Sequence, residues 1–115
     1  MYKLDGLRLK VFEDRYALRD REGNQLEHTP EEMWKRVATA IAATEATEEK
    51  RAFWAEEFYK VLENFQFVPG GRILSGAGSG YDLTFYNCFV IPSPEDRRGG
   101  IFESVKTMVE IMSRS

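Results

Sequence analysis

The sequence predicts a mainly α fold: an N-terminal β-hairpin, a helical hairpin, a glycine-rich loop, one strand and a C-terminal helix. Three observations carry this expectation. Apolar residues recur at three- and four-residue spacing in three separate stretches, which is the helical period. One of those stretches opens with a complete capping signature. Strand-like patterning is confined to residues 1–20 and to a short apolar run at 85–91.

At the start, Leu7, Leu9 and Val11 alternate with Arg8 and Lys10, the period of a half-buried strand. Tyr16 and Leu18 repeat the alternation, and Glu22-Gly23-Asn24 supplies a turn. The first helix has a sharp beginning: Thr29 can cap, Pro30 suits the first helical position, and Glu32 completes a capping box. Met33, Trp34, Val37, Ala38 and Ile41 form its apolar face, with Glu31, Lys35 and Arg36 expected toward solvent. A second helix starts at Thr44 or Thr47, with Glu48 and Glu49 in its first turn where they favour the dipole. Phe53, Trp54, Phe58, Val61, Leu62 and Phe65 recur along it, and such a stripe is expected to be core.

Pro69-Gly70-Gly71 is expected to stop that helix, and residues 69–80 hold five of the nine glycines. Tyr81 to Ile91 then approaches a strand, closed by Pro92, Ser93 and Pro94. The stretch from Glu95 to Gly100 is charged and loop-like. Ile101, Phe102, Val105, Met108, Val109 and Met112 mark a third helix. It runs into Ser113-Arg114-Ser115 with no Gly or Pro stop signal, so the chain reads as cut rather than finished. One strand is also too few for a sheet. The expected division is a helical N-terminal region, 1–68, and a second part, 69–115, holding the loop, the strand and the last helix.

At 115 residues the chain can build one domain with a modest core. Its apolar fraction of 43% is that of a globular protein rather than a disordered one. A net charge of -3 with no Lys/Arg block offers no basic stripe, so nucleic acid is not an expected partner. No apolar run has the length for a bilayer, and Met1-Tyr2-Lys3-Leu4-Asp5 lacks a signal-peptide core, so no membrane contact is expected. One unpaired cysteine and no export signal predict the reducing cytosol.

Two features could carry chemistry. Glycines at Gly70, Gly71, Gly76, Gly78 and Gly80 would let backbone N–H groups converge on an anion; the alternative is a simple connecting loop. A dinucleotide fingerprint follows a strand and opens a helix, and here the expected order is reversed. Cys88 is the only cysteine, at the mouth of an apolar strand. It is either a small buried hydrophobe or an exposed thiol, and in the second case its redox partner lies elsewhere. His28, just before a helix cap, is expected at the surface. The carboxylates are spread along helix faces, with no metal-ligand spacing.

Several segments in series carry a resemblance. Pro69-Gly70-Gly71-Arg72-Ile73-Leu74 followed by Asn87-Cys88-Phe89-Val90 resembles the start of the catalytic barrel of ribonucleotide reductase, most of all the large chain of the adenosylcobalamin-dependent, class II type. Arg15-Tyr16-Ala17-Leu18-Arg19-Asp20 with Glu22-Gly23-Asn24 is similar to that family's N-terminal segment. Thr29-Pro30-Glu31-Glu32-Met33 is similar to its first helix, and Gly100-Ile101-Phe102-Glu103-Ser104-Val105 to the helix after the first barrel strand.

The resemblance implies a ten-stranded α/β barrel behind a helical region, of which this chain would be the N-terminal part. It implies a thiyl radical that takes the 3′ hydrogen of the ribose, and two further cysteines that become a disulfide as the 2′ hydroxyl leaves. Cys88 would be one of those two. Gly70, Gly71 and Ser75 would lie in the substrate-side loop, and Asn87 would face the ribose. Adenosylcobalamin would belong to the complete enzyme, with none expected on this chain alone. The expected partners are the remainder of the catalytic chain and a ribonucleotide, with homo-oligomer formation left open. The radical cysteine and the second reducing cysteine are not in this sequence, so the chain is not expected to turn over alone. A second reading is a non-catalytic helical interaction module of the same family, binding through residues 101 to 112. A third is an unrelated helical domain with a buried cysteine.

Overall fold

The computed structural model describes residues 1–114. Five α-helices are present among them: α1 (Gly6–Val11), α2 (Pro30–Ala42), α3 (Glu48–Leu62), α4 (Gly71–Gly76) and α5 (Arg98–Met112). The mainly helical expectation holds, and the described residues contain no strand.

The N-terminal hairpin is corrected. Residues 6–16 are helical, α1 running directly into a single π turn, Phe12–Tyr16, closed by the Ala17 N–H donating to the Phe12 carbonyl at 2.8 Å. Within the alternating pattern lies a second period: Leu9, Phe12 and Tyr16 pack into or against the core, while Leu7 stays 76% exposed. Burying that helical set decides the conformation. The hairpin shrinks to one antiparallel bridge, Arg19 with Gln25, around the expected turn. There the Asp20 carboxylate accepts the Asn24 N–H at 2.7 Å.

α2 begins as its sequence requires. The Thr29 hydroxyl accepts the Glu32 N–H, and the Glu32 carboxylate accepts the Thr29 N–H at 3.0 Å. Met33, Trp34, Val37 and Ala38 are buried. α3 starts at Thr47, whose hydroxyl accepts the Lys50 N–H at 3.3 Å, and it packs antiparallel-hairpin fashion on α2 after a short link. The aromatic stripe of α3 is only partly core. Leu62 is buried and Phe58 packs on the cluster, whereas Phe53, Trp54 and Val61 are exposed.

α3 ends at Leu62, earlier than Pro69. Asn64 and Phe65 both take φ 57°, and the Phe67 N–H reaches back to the Val61 carbonyl at 3.0 Å, a left-handed helix stop of the kind Asn tolerates. Phe65 is thereby returned onto the core. Its ring lies edge-on to Trp34 and Tyr2 at centroid distances of 5.0 and 5.1 Å.

The second half is built differently. α4 packs on α2 and buries Leu74 and Ala77 in the core cluster. Beyond it, residues 81–91 are extended and mostly exposed with no ladder partner, so the expected strand is not formed among the described residues. In α5 only Gly100 is buried, and Ile101, Phe102, Val105, Met108 and Val109 face solvent. The accessible surface of 8762 Å² exceeds the about 6,500 Å² typical of a folded monomer of this mass. No helix of the described residues is long and apolar enough to cross a membrane.

Candidate functional site

The glycine-rich stretch is a short helix against which another segment lies, not an open loop. Gly71 opens α4 and Ser75 sits in its last turn, the Ser75 hydroxyl donating to the Gly71 carbonyl at 3.0 Å. Residues 83–87 return across it. A Cβ placed on Gly70 would stand 3.2 Å from Asn87 Nδ2, and one on Gly76 would stand 3.4 Å from Phe85 Cε1. On its other side, a Cβ on Gly71 would meet the Tyr16 hydroxyl at 3.4 Å. The missing side chains at 70, 71 and 76 are therefore what lets the neighbouring segments approach. Gly70 thus lies beside Asn87, and Gly71 beside Tyr16 and Ser75. Cys88 follows directly, with its thiol free and exposed rather than buried.

Ser75 lines a cavity of about 240 Å³. One wall is the segment from Asp14 to Asp20, including Arg15 and Arg19; the other carries Ser75, Ser79 and Tyr81. Asp20 is held below the ordinary carboxylate range, chiefly by the side-chain hydrogen bond from Asn24.

What joins the two walls was not foreseen. Arg36 does not face solvent. Its guanidinium forms a buried ion pair with Glu27, both side chains 8% exposed, through Nε to Oε1 at 2.6 Å and Nη2 to Oε2 at 3.0 Å. The same guanidinium donates to the carbonyls of Tyr16 (3.2 Å), Leu74 (2.9 Å) and Ala77 (2.6 Å). Glu27 Oε2 also accepts the Leu18 N–H at 3.0 Å. The cation thus sits on the carbonyl end of α4, where positive charge is favoured. Gly78, at φ +71°, passes so close that a Cβ there would lie 2.9 Å from Arg36 Cγ. The sequence did hold a signal: within α2, Arg36 is bracketed by the apolar Met33 and Val37 and by the small Ala40.

Glu31 also turns inward. Its carboxylate accepts the Tyr2 N–H, and its other oxygen is buried without a hydrogen-bond partner. Tyr59 is raised above the ordinary phenol value by burial, with Glu63, Glu31 and Glu56 adding to it. His28 is exposed, as expected, and its N–H donates to Glu32 at 2.5 Å. The described residues contain no His/Cys/Asp/Glu group able to hold a metal ion.

Residues 2–82 match the family described as ribonucleotide reductase, all-alpha domain. The chain belongs to that family. It is 34% identical over 111 residues to the vitamin B12-dependent ribonucleoside-diphosphate reductase of Mycobacterium tuberculosis, covering 95% of this chain and 16% of the relative. It is 32% identical over 108 residues to the ribonucleoside-diphosphate reductase subunit alpha of Helicobacter pylori, covering 93% of this chain and 13% of that protein. This ribonucleotide reductase segment therefore spans about one-sixth of the relatives it matches or less. Its likeness is to an N-terminal segment of the large chain. The family match takes in α1 to α4, so the capped hairpin of α2 and α3 and the Arg36 ion pair both belong to the family's all-α part.

Proposed function

We propose that this chain serves a vitamin B12-dependent ribonucleotide reductase by presenting Cys88 as one of the two thiols that reduce the substrate. The observation carrying the proposal is the position of Cys88: a free, exposed thiol on an extended segment seated against α4 through Phe85 at Gly76 and Asn87 at Gly70. In the assembled enzyme that segment becomes the first strand of the barrel, and the rest of the catalytic chain supplies its ladder partner. The division at residue 68/69 then separates the helical part from the start of the barrel.

The step balances with a second cysteine from the remainder of the enzyme. The two thiols lose two electrons and two protons and join as a disulfide; the 2′ carbon exchanges its hydroxyl for hydrogen, and the hydroxyl leaves as water. One thiol supplies half of that, so this chain alone does not complete it. Backbone amides at Gly70 and Gly71 and the Ser75 hydroxyl would receive the nucleotide phosphates, and Asn87 would face the ribose. The Mycobacterium relatives' name implies a vitamin B12 cofactor, which would supply radical chemistry from elsewhere in the complete enzyme. The residues here do not fit it as a seat: a cavity of about 780 Å³ beside α1 is lined mostly by apolar and aromatic side chains, with Arg8 as its one cation. No step on this chain runs through it.

The test is Cys88→Ser in the assembled enzyme, with adenosylcobalamin and a dithiol reductant. Loss of deoxyribonucleotide product, by at least about a hundredfold, is expected. Activity within twofold of wild type would sink the reading. The interaction-module reading has its own support in the exposed α5 face. It predicts that the chain binds the remainder of the enzyme while Cys88→Ser leaves activity unchanged.

A further inference from the structure

We infer that Arg36, paired with Glu27, is a positioning residue for the nucleotide phosphates, because it fixes the separation of the two walls of the cavity that contains Ser75. The inference rests on the substrate-side role proposed above for Gly70, Gly71 and Ser75.

The two walls come from distant parts of the sequence, Asp14 to Asp20 and Ser75 to Tyr81, and neither is held to the other by a ladder. The Glu27–Arg36 pair bolts both. On the first wall it holds the Tyr16 carbonyl through Arg36 and the Leu18 N–H through Glu27. On the second it holds the Leu74 and Ala77 carbonyls, which flank Ser75. Every contact is charge-assisted, and the pair is out of solvent, where such bonds are short and directional. The guanidinium is the only side-chain head able to serve this many acceptors in one plane; a lysine carries the charge but not the fork.

The cavity it spaces is lined by two cations, Arg15 and Arg19, two carboxylates, Asp14 and Asp20, and the hydroxyl residues Ser75 and Ser79. Among the described residues the Arg15 side chain has no hydrogen bond or ion pair, and Arg15 lines the cavity together with Ser75 and Ser79. Asp14 and Asp20 on the same wall oppose an anion, so the distance of a phosphate from the cation decides whether it is held. That distance is what Arg36 sets. The ligand class is a nucleoside di- or triphosphate, and the assay below uses a diphosphate.

The experiment compares wild type, Arg36→Lys and Glu27→Gln in the assembled reductase with a ribonucleoside diphosphate. The expected result is KM raised by roughly tenfold with kcat within about twofold. A purely structural role would lower the active fraction, and hence the apparent kcat, while leaving KM unchanged; that outcome overturns the inference. A wild-type enzyme with no reductase activity would instead remove the reading on which the inference rests, and the inference with it. Should neither variant fold, hydrogen exchange on the wild-type enzyme decides. The diphosphate should slow exchange at the Leu18 amide, which Glu27 holds, and equal rates with and without it overturn the inference.

Discussion

A buried ion pair is usually a weak source of stability, since removing two charges from water offsets most of their attraction. Arg36 and Glu27 are better placed than most, because the guanidinium makes five hydrogen bonds, two to the Glu27 carboxylate and three to the carbonyls of Tyr16, Leu74 and Ala77. Single residues elsewhere act more locally. Glu32 lies at the third position of α2, where its carboxylate accepts the N–H groups of His28 and Thr29. Those bonds, His28 first, hold it below the ordinary carboxylate range. A carboxyl whose folded value is depressed stabilises the fold above its unfolded value, and that contribution is lost as pH falls through the folded one. Glu32→Gln should therefore be less stable than the parent at pH 7, by about 0.5 kcal/mol given the solvent screening of this exposed group. The gap should close below the ordinary carboxylate range. Urea titrations of both chains at pH 7 and pH 3 measure it, and a gap independent of pH would remove the capping carboxylate from the account.

At the scale of elements, legibility in the sequence tracked how local the deciding signal was. α2 was readable to the residue because its start is written in four consecutive positions, Thr29 to Glu32. The start of α3 was narrowed to Thr44 or Thr47, and the cap is Thr47. α1 was misread because Leu7, Leu9 and Val11 satisfy an alternating pattern, while the set that matters, Leu9, Phe12 and Tyr16, shows only when the core against which it packs is known. The glycines of α4 were read as a loop, and neither the helix nor the close approach was legible, since their partners, Phe85, Asn87 and Tyr16, lie far away in sequence. The Arg36 bolt was not legible, since the carbonyls it holds, Tyr16, Leu74 and Ala77, lie far from it in sequence. The α1 correction has a direct test. A strand would place Leu7 and Leu9 on one face and make them equivalent; the helix packs Leu9 on the core and leaves Leu7 in water. Leu9→Ala should cost about 1–2 kcal/mol, and Leu7→Ala within about 0.5 kcal/mol of nothing. Equal losses in urea titration would restore the strand.

For the whole molecule, the balance between surface and core differs along the chain. The core cluster draws on Phe12, α2, Leu62 and the α4 region, and nothing of α5 enters it. The radius of gyration, 17.9 Å, exceeds the about 13 Å of a compact domain of this length. Apolar side chains are exposed in the second half, at Tyr86, Phe89 and Val90 on the extended segment and along the α5 face, with Phe102 72% exposed. A contiguous apolar surface of that kind rarely persists on a monomer. The chain by itself should bind a hydrophobic dye and associate as its concentration rises, read by sedimentation velocity. Phe102→Lys with Val109→Glu should reduce both signals, because each substitution places a charge in the middle of the α5 face, while leaving thermal stability within about 1 kcal/mol since neither side chain is buried. Association that persists in the double variant would move the sticky surface to the extended segment at 81–91. A monomer at high concentration without dye binding would mean that both surfaces are covered in solution by a rearrangement of the second half.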